Sequence, residues 1–167
     1  MQISMFQASA PRFAHMLGNL SAILGKAEAH CEAKKIDPLV LTASRLYPNM
    51  LPFTRQVAIA CDTAKGAIAR LSGVDNPKHE DVERTFAELR ARIAKTRDFI
   101  ASVKPAQIDG SEDKSVVLKL GGRDVTFTGL DYLTLYALPN FYFHVTTAYA
   151  ILRHNGVELG KSDYLGG

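Results

Sequence analysis

Apolar residues recur at helical spacing along four stretches of this chain and alternate at strand spacing along one more. The first stretch runs from about Ser4 to His30. Phe6, Phe13, Met16, Leu17, Leu20, Ile23, Leu24 and Ala27 share one stripe there, which predicts an amphipathic helix. Pro11 lies inside that pattern and predicts either a kink or the true helix start. A linker over 31–48 follows. Within it Asp37-Pro38 supplies an N-cap and a first-turn proline for a short helical turn. The second helix is predicted from Asn49, with Phe53, Val57, Ala60, Ala64, Ala67, Ile68 and Leu71 on its apolar face and Ser72-Gly73 closing it. The polar stretch 74–84 carries Asn76-Pro77 and reads as a loop. Thr85 and Glu88 have capping-box spacing, opening a third helix whose buried face holds Phe86, Leu89, Ile93, either Phe99 or Ile100, and Val103.

The alternating stretch is a hairpin. Residues 115–120 and 123–128 flank Gly121-Gly122, a pair suited to a tight primed turn. That turn sets Leu118 opposite Val125 and Val116 opposite Phe127, with Lys119 facing Asp124 on the other face. A slip of one residue would scramble both sets. An isolated ribbon is marginal, so its apolar face must lie on the helices or on another subunit. The fourth helix is predicted from Thr128, with Asp131 as a weaker capping partner, to His154 before Asn155-Gly156. It is apolar nearly all round, as the central helix of a bundle should be. The tail 157–167 reads as irregular.

These elements predict a mainly α fold: one domain over 1–167, a four-helix bundle with a β-hairpin inserted between helices three and four. Length and composition agree. With 167 residues, 47% of them hydrophobic and 22% charged, the chain can bury one core and has neither a disordered nor a fibrous composition. A net charge of +3 is too small for a dedicated nucleic-acid binder, and no aromatic residues interleave with the basic side chains of helix three. Arg90, Arg92, Lys95 and Arg97 therefore read as a solvated face, and no nucleic-acid partner is expected. The stretch between Asp131 and Arg153 has no formal charge if His144 is neutral. However, it holds Pro139, Asn140, His144 and three threonines, so it reads as a buried helix and no membrane partner is expected. Cys31 and Cys61 lie in no metal or redox spacing and read as reduced thiols. The start MQISMFQASAPRF has no basic region followed by an apolar run, so a cytoplasmic location is expected.

The sequence contains no nucleophile triad order, phosphate loop, dinucleotide glycine fingerprint or HExxH motif. Of the five histidines, no two stand at i, i+3 or i, i+4, the spacing that lets two imidazoles share a metal on one helix face. Helix four nevertheless carries a polar stripe, Tyr136, Asn140, His144 and Thr147. Pro139 removes a backbone hydrogen bond beside it, which predicts a kink and room between helices. Helix two offers Gln56, flanked by Arg55, with Thr63 about two turns on. Two readings stay open: a satisfied polar network that fixes helix register, or a ligand or metal pocket between helices. Arg45 and Tyr47 precede helix two and either line the mouth of such a pocket or cap the linker. His15, His30 and His154 read as solvated or helix-end residues.

Several blocks carry a family resemblance. They are Arg45-Leu-Tyr-Pro-Asn-Met50 with Arg55-Gln56, Phe86-Ala-Glu-Leu89, Leu138-Pro-Asn-Phe-Tyr-Phe-His144, Thr147 through Gly156, and Gly160-Lys161. In these the chain resembles the DinB/YfiT-like metalloenzyme superfamily of four-helix bundles. More narrowly, it resembles a bacterial branch described only as a domain of unknown function. The resemblance covers nearly the whole chain and implies a pocket between helices two and four. That superfamily's metal site has one histidine on the second helix and an HxxxH pair on the fourth. Gln56, Asn140 and His144 stand at those places, so one imidazole of three remains. Amide oxygens are weak ligands for zinc or nickel, and no tightly bound metal is expected.

The expected function is therefore a small-molecule-binding protein or a degenerate, metal-independent enzyme. Its pocket surrounds His144, the one residue there able to move a proton near neutral pH, with Gln56, Asn140, Tyr136, Arg55 and Tyr47 about a small polar ligand. The alternatives are a metal-dependent transferase or hydrolase using zinc or nickel, and a structural homodimer whose polar stripe is only a core network. A homodimer is expected in any case, because the hairpin face Val116, Leu118, Leu120, Val125 and Phe127 exceeds what one short ribbon covers alone.

Overall fold

The computed structural model describes residues 3–167, so Met1 and Gln2 of the N-terminal leader reading lie outside the described residues. The elements run α1 (Met5–Lys34), α2 (Pro38–Thr42), α3 (Phe53–Ser72), α4 (Phe86–Ser102), α5 (Pro105–Ile108), β1 (Val116–Leu120), β2 (Arg123–Phe127), α6 (Gly129–Asp131), a π-helical segment Tyr132–Ala137, α7 (Leu138–His154) and α8 (Lys161–Leu165). The four long helices α1, α3, α4 and α7 form the bundle, and the hairpin enters between α4 and α7, as the hydrophobic pattern requires.

Local chemistry explains most boundaries. Ser4 and Gln7 cap each other reciprocally at the start of α1, so Pro11 lies inside that helix and does not begin it. The helix runs past His30 to Lys34 and ends on Lys35 in the left-handed region at φ 55°. The second long helix begins at Phe53, later than Asn49. A residue before proline is driven toward extended backbone, and both Tyr47 and Leu51 precede one. Pro52 is therefore the N-cap. Thr85 and Glu88 form their capping box at the start of α4.

The hairpin has the predicted register, Val116 with Phe127, Leu118 with Val125 and Lys119 with Asp124. Gly121 and Gly122 both have positive φ, 57° and 80°, as a primed turn demands. Val116 and Leu118 are buried on the chain's own bundle, while Leu120, Val125 and Phe127 are half-buried. The surplus apolar face expected there is thus largely covered within one chain. Where the ribbon rejoins the bundle, Gly129 passes so close to Ser111 that a Cβ would stand 1.9 Å from its carbonyl oxygen.

Three further features differ from the sequence expectation. Pro139 does not produce a simple kink: the turn before it widens into the π segment, with Leu138 N–H reaching the Leu133 carbonyl. A π turn carries one extra residue per hydrogen bond, which accommodates the donor that proline lacks. The tail is not wholly irregular, because α8 docks on α1. Lys26 pairs with Asp163 at 2.5 Å, Asn19 donates to the Tyr164 carbonyl at 3.0 Å, and His15 bonds the Leu165 carbonyl at 3.0 Å. A five-residue helix has no stable pattern of its own and forms through such contacts. Finally, the central helix is α3. It buries Phe53, Val57, Ala60, Cys61, Ala64, Ala67, Ile68 and Leu71 against its neighbours, whereas α7 leaves Phe143 exposed. Phe13 of α1 meets Phe141 of α7 edge-on at 4.9 Å, closing the core from the other side.

Because the hairpin face belongs to this core, Leu118→Asp should lower the unfolding free energy by about 2–4 kcal/mol in urea melts. A variant that keeps its melting curve and only halves its mass in light scattering would place that face between two copies instead.

Candidate functional site

α3 and α7 make the most extensive helix–helix contact in the molecule, and two polar pairs cross it. Gln56 and His144 form the first. The side-chain amide of Gln56 donates to the Leu51 carbonyl at 3.0 Å. A carbonyl can only accept, so the amide oxygen is turned the other way, where it meets His144 Nδ1 at 2.7 Å. Nδ1 must then carry the proton. The neutral imidazole is held as the Nδ1–H tautomer, and the Nε2 lone pair is left without a protein partner among the described residues. His144 is 8% exposed, and Nε2 is not among the buried atoms that lack partners, so it is the edge of the ring that meets solvent. Burial holds the His144 pKa below its ordinary value. The ring is therefore neutral at pH 7 and can accept a proton or a hydrogen bond at Nε2.

Asn140 and Thr63 form the second pair, with the Asn140 amide donating to the threonine hydroxyl at 2.8 Å. The remaining residues of the predicted site lie elsewhere. Thr147 turns its hydroxyl back to the Phe143 carbonyl on its own helix. Tyr136 belongs to the π segment. Its ring stacks on Tyr132 and tilts against Phe127, at the foot of the hairpin. Arg55 is drawn to Asp81, which it holds below the usual carboxylate pKa range by a direct hydrogen bond. Tyr47 is exposed on the linker, and Arg45 caps that linker by donating to the carbonyls of Pro48 and Met50. Among the surface clefts of the described residues are five of about 250–550 Å³, and none of these five is lined by Gln56, Asn140 or His144.

The donor set does not fit the three-ligand metal site that the superfamily resemblance implies. The Gln56 oxygen is occupied by His144 N–H, Asn140 donates through its NH2 group to Thr63 and has only a weakly ligating amide oxygen left, and one imidazole remains. Among the described residues no group of three or more His, Cys, Asp or Glu side chains is placed to hold a metal ion. No described helix is long and apolar enough to cross a membrane.

A second polar centre went unread in the sequence. Arg92, assigned to a solvated face, has a side chain only 1% exposed. It donates to Asp62 of α3 at 2.8 Å, to both Glu83 oxygens at 3.0 Å and to the Glu80 carbonyl at 2.9 Å, and lies 3.1 Å from Asp81. Five donors in a planar fork suit arginine to such a junction. The signal was present in the spacing, since Arg92 stands three residues after Leu89 and four before Thr96, on the buried stripe that continues to Ile93 and Ile100. Beside it Cys61 is fully buried, with its thiol pushed up to about 12 by desolvation, which leaves it without nucleophilic character near neutral pH.

Two expectations follow. Nitrogen-15 NMR of the imidazole should find His144 as the Nδ1–H tautomer, titrating below the ordinary value. Gln56→Met, which removes the acceptor for Nδ1–H, should lower that midpoint further and populate the other tautomer. An unchanged tautomer would refute the assignment. Arg92→Met should cost about 2–4 kcal/mol in chemical unfolding because it strands buried carboxylate oxygens, and Arg92→Lys should cost less.

Residues 5–165 match the family described as Domain of unknown function (DUF1993). A crystal structure of a DinB family member protein from Shewanella denitrificans is 45% identical in sequence and superposes with a TM-score of 0.87, over 97% of this chain and 92% of that one. No curated protein matches the chain. Sequence and architecture, a four-helix bundle with its hairpin before the last long helix, thus agree that the chain belongs to the DinB family, in the branch described as Domain of unknown function (DUF1993).

Proposed function

We propose that this DinB-family chain is a small-molecule-binding protein that works without a metal, and that His144 Nε2 is the atom its ligand meets. The observation that carries this reading is the Gln56–His144 bond at 2.7 Å. A hydrogen bond that only fixed helix register would need no particular nitrogen to remain free, whereas this one directs the neutral ring so that its lone pair faces out. The ligand is then a hydrogen-bond donor, such as an alcohol, phenol or protonated acid. Nε2 can hold that donor or, as a general base, remove its proton. The buried, unpaired Cys31 and Cys61 support a reducing, cytoplasmic setting.

The mutual satisfaction of both polar pairs supports a second reading, a network that only keys α3 to α7. An NMR screen with small alcohols, phenols and carboxylic acids at millimolar concentration separates the two. Ring resonances of His144 should move on binding and stay silent in His144→Phe. If no fragment moves them, the ligand-binding reading fails. Metal independence has its own test. The starting protein should bind no zinc in calorimetry, whereas Gln56→His with Asn140→His should bind it through three imidazoles. A starting protein that retains about one equivalent of metal would overturn that part of the proposal.

A further inference from the structure

Residues 74–84 carry neither helix nor strand, yet two buried cations fasten them to the bundle. Lys65 of α3, with a side chain 5% exposed, donates to the Pro77 carbonyl and lies 3.5 Å from Asp62. Arg92 of α4 holds the far end through Glu80, Asp81 and Glu83. His79 sits between these two fastenings. It lines both clefts beside the segment, one of about 370 Å³ toward α4 and one of about 550 Å³ toward α3. Its Nδ1 is buried and has no hydrogen-bond partner among the described residues.

The charges around this ring do not welcome another cation. α3 presents Lys65, Arg70 and Asp62, α4 presents Arg92, Lys95 and Glu88, and the segment itself presents Lys78, Glu80 and Glu83. The carboxylates are mostly engaged already. Asp62 accepts from Arg92 through Oδ2, while its Oδ1 lies 3.5 Å from Lys65 with no hydrogen bond. Asp62 favours a proton on His79, an attraction outweighed by desolvation and by Lys65 and Arg92. Glu83 serves Arg92, and Glu88 accepts from the backbone N–H groups of Arg84 and Thr85. A proton added to His79 in the fastened state would sit between Lys65 and Arg92 on a ring partly removed from water.

We propose that protonation of His79 releases residues 74–84 from α3 and α4, making this segment a pH-operated strap over the buried Arg92–Asp62 pair. Desolvation, reinforced by the neighbouring Lys65, holds the ring below its ordinary value while the strap is fastened. The released state regains the ordinary value and so binds more protons. Fastening is complete above the ordinary imidazole range and weakens as pH falls through it. Release joins the two clefts and brings Lys65 and Arg92 to solvent, so the same surface becomes a basic groove in acid.

Hydrogen–deuterium exchange over 77–84, corrected at each pH for the intrinsic rate, reads this directly. Between pH 7.5 and 5.0 protection should fall by up to about 30-fold, the limit for a group that titrates near 6.5 only when released. His79→Gln should keep its protection at both pH values. Equal protection of the starting protein at the two pH values overturns the proposal, as does an equal loss in His79→Gln. Should that variant fail to fold, the His79 Hε1 resonance of the unmodified protein decides. Its midpoint must lie below 6.5 and coincide with shifts in the 74–84 amides, and a midpoint at or above that value refutes the strap.

Discussion

A helix buried on nearly every side can send its polar side chains only into its neighbours, and α3 is such a helix. Alanine and glycine at 58, 60, 64, 66, 67 and 69 let the flanking helices approach closely. Gln56, Asp62, Thr63 and Lys65 are left to find partners across those close interfaces. The partners come from two directions. Toward α7 they are His144 and Asn140, and toward α4 and the preceding loop they are Arg92 and the Pro77 carbonyl. Each seam is polar within an otherwise apolar core, and an unpaired donor there would cost more than a pair contributes. This requirement sets both the angular position of α7 and the path of residues 74–84.

The two seams differ in kind. The α7 seam is uncharged. It joins amides, a hydroxyl and a neutral imidazole, so it costs little to bury and leaves one lone pair directed outward. The α4 seam is ionic and gathers three carboxylates, one from α3 and two from the 74–84 segment, around one guanidinium. Buried ion pairs are poor stabilisers when compared with apolar packing, but they discriminate strongly among arrangements. The neutral seam keys α7 to α3, while the ionic seam holds a segment that has no helix or strand of its own.

Much of the fold was legible because its signals are local. The hairpin register follows from two glycines and the sorting of Val116, Leu118, Lys119 and their partners. The cap at Thr85 follows from four residues, and the pairing of Gln56 with His144 follows from helical phase together with family resemblance. What could not be read depends on tertiary context. Arg92 and Lys95 are alike in the sequence, and only the carboxylates brought by α3 and the loop bury one and leave the other in water. The packing of the Tyr136 ring on Tyr132 and Phe127 depends on the π segment and the foot of the hairpin, neither of which a regular 3.6-residue period shows. Five residues of α8 acquire helical form only against α1. His79 carries no motif at all, and its interest comes from what the fold fails to put beside Nδ1.

The π segment has a consequence for how this family can vary. It lies between two fixed points, the close approach of Gly129 to Ser111 at the hairpin and the His144 ring on Gln56. A π turn absorbs one extra residue while leaving the helix beyond it in phase, so losing one residue from it would restore a regular helix with His144 still facing Gln56. The irregular turn thus works as a length adjuster between an anchored ribbon and an oriented imidazole. A one-residue deletion within 132–137 is therefore a change this architecture can absorb, whereas the same deletion in the regular turns between Leu138 and Phe143 would turn His144 by about 100° away from Gln56.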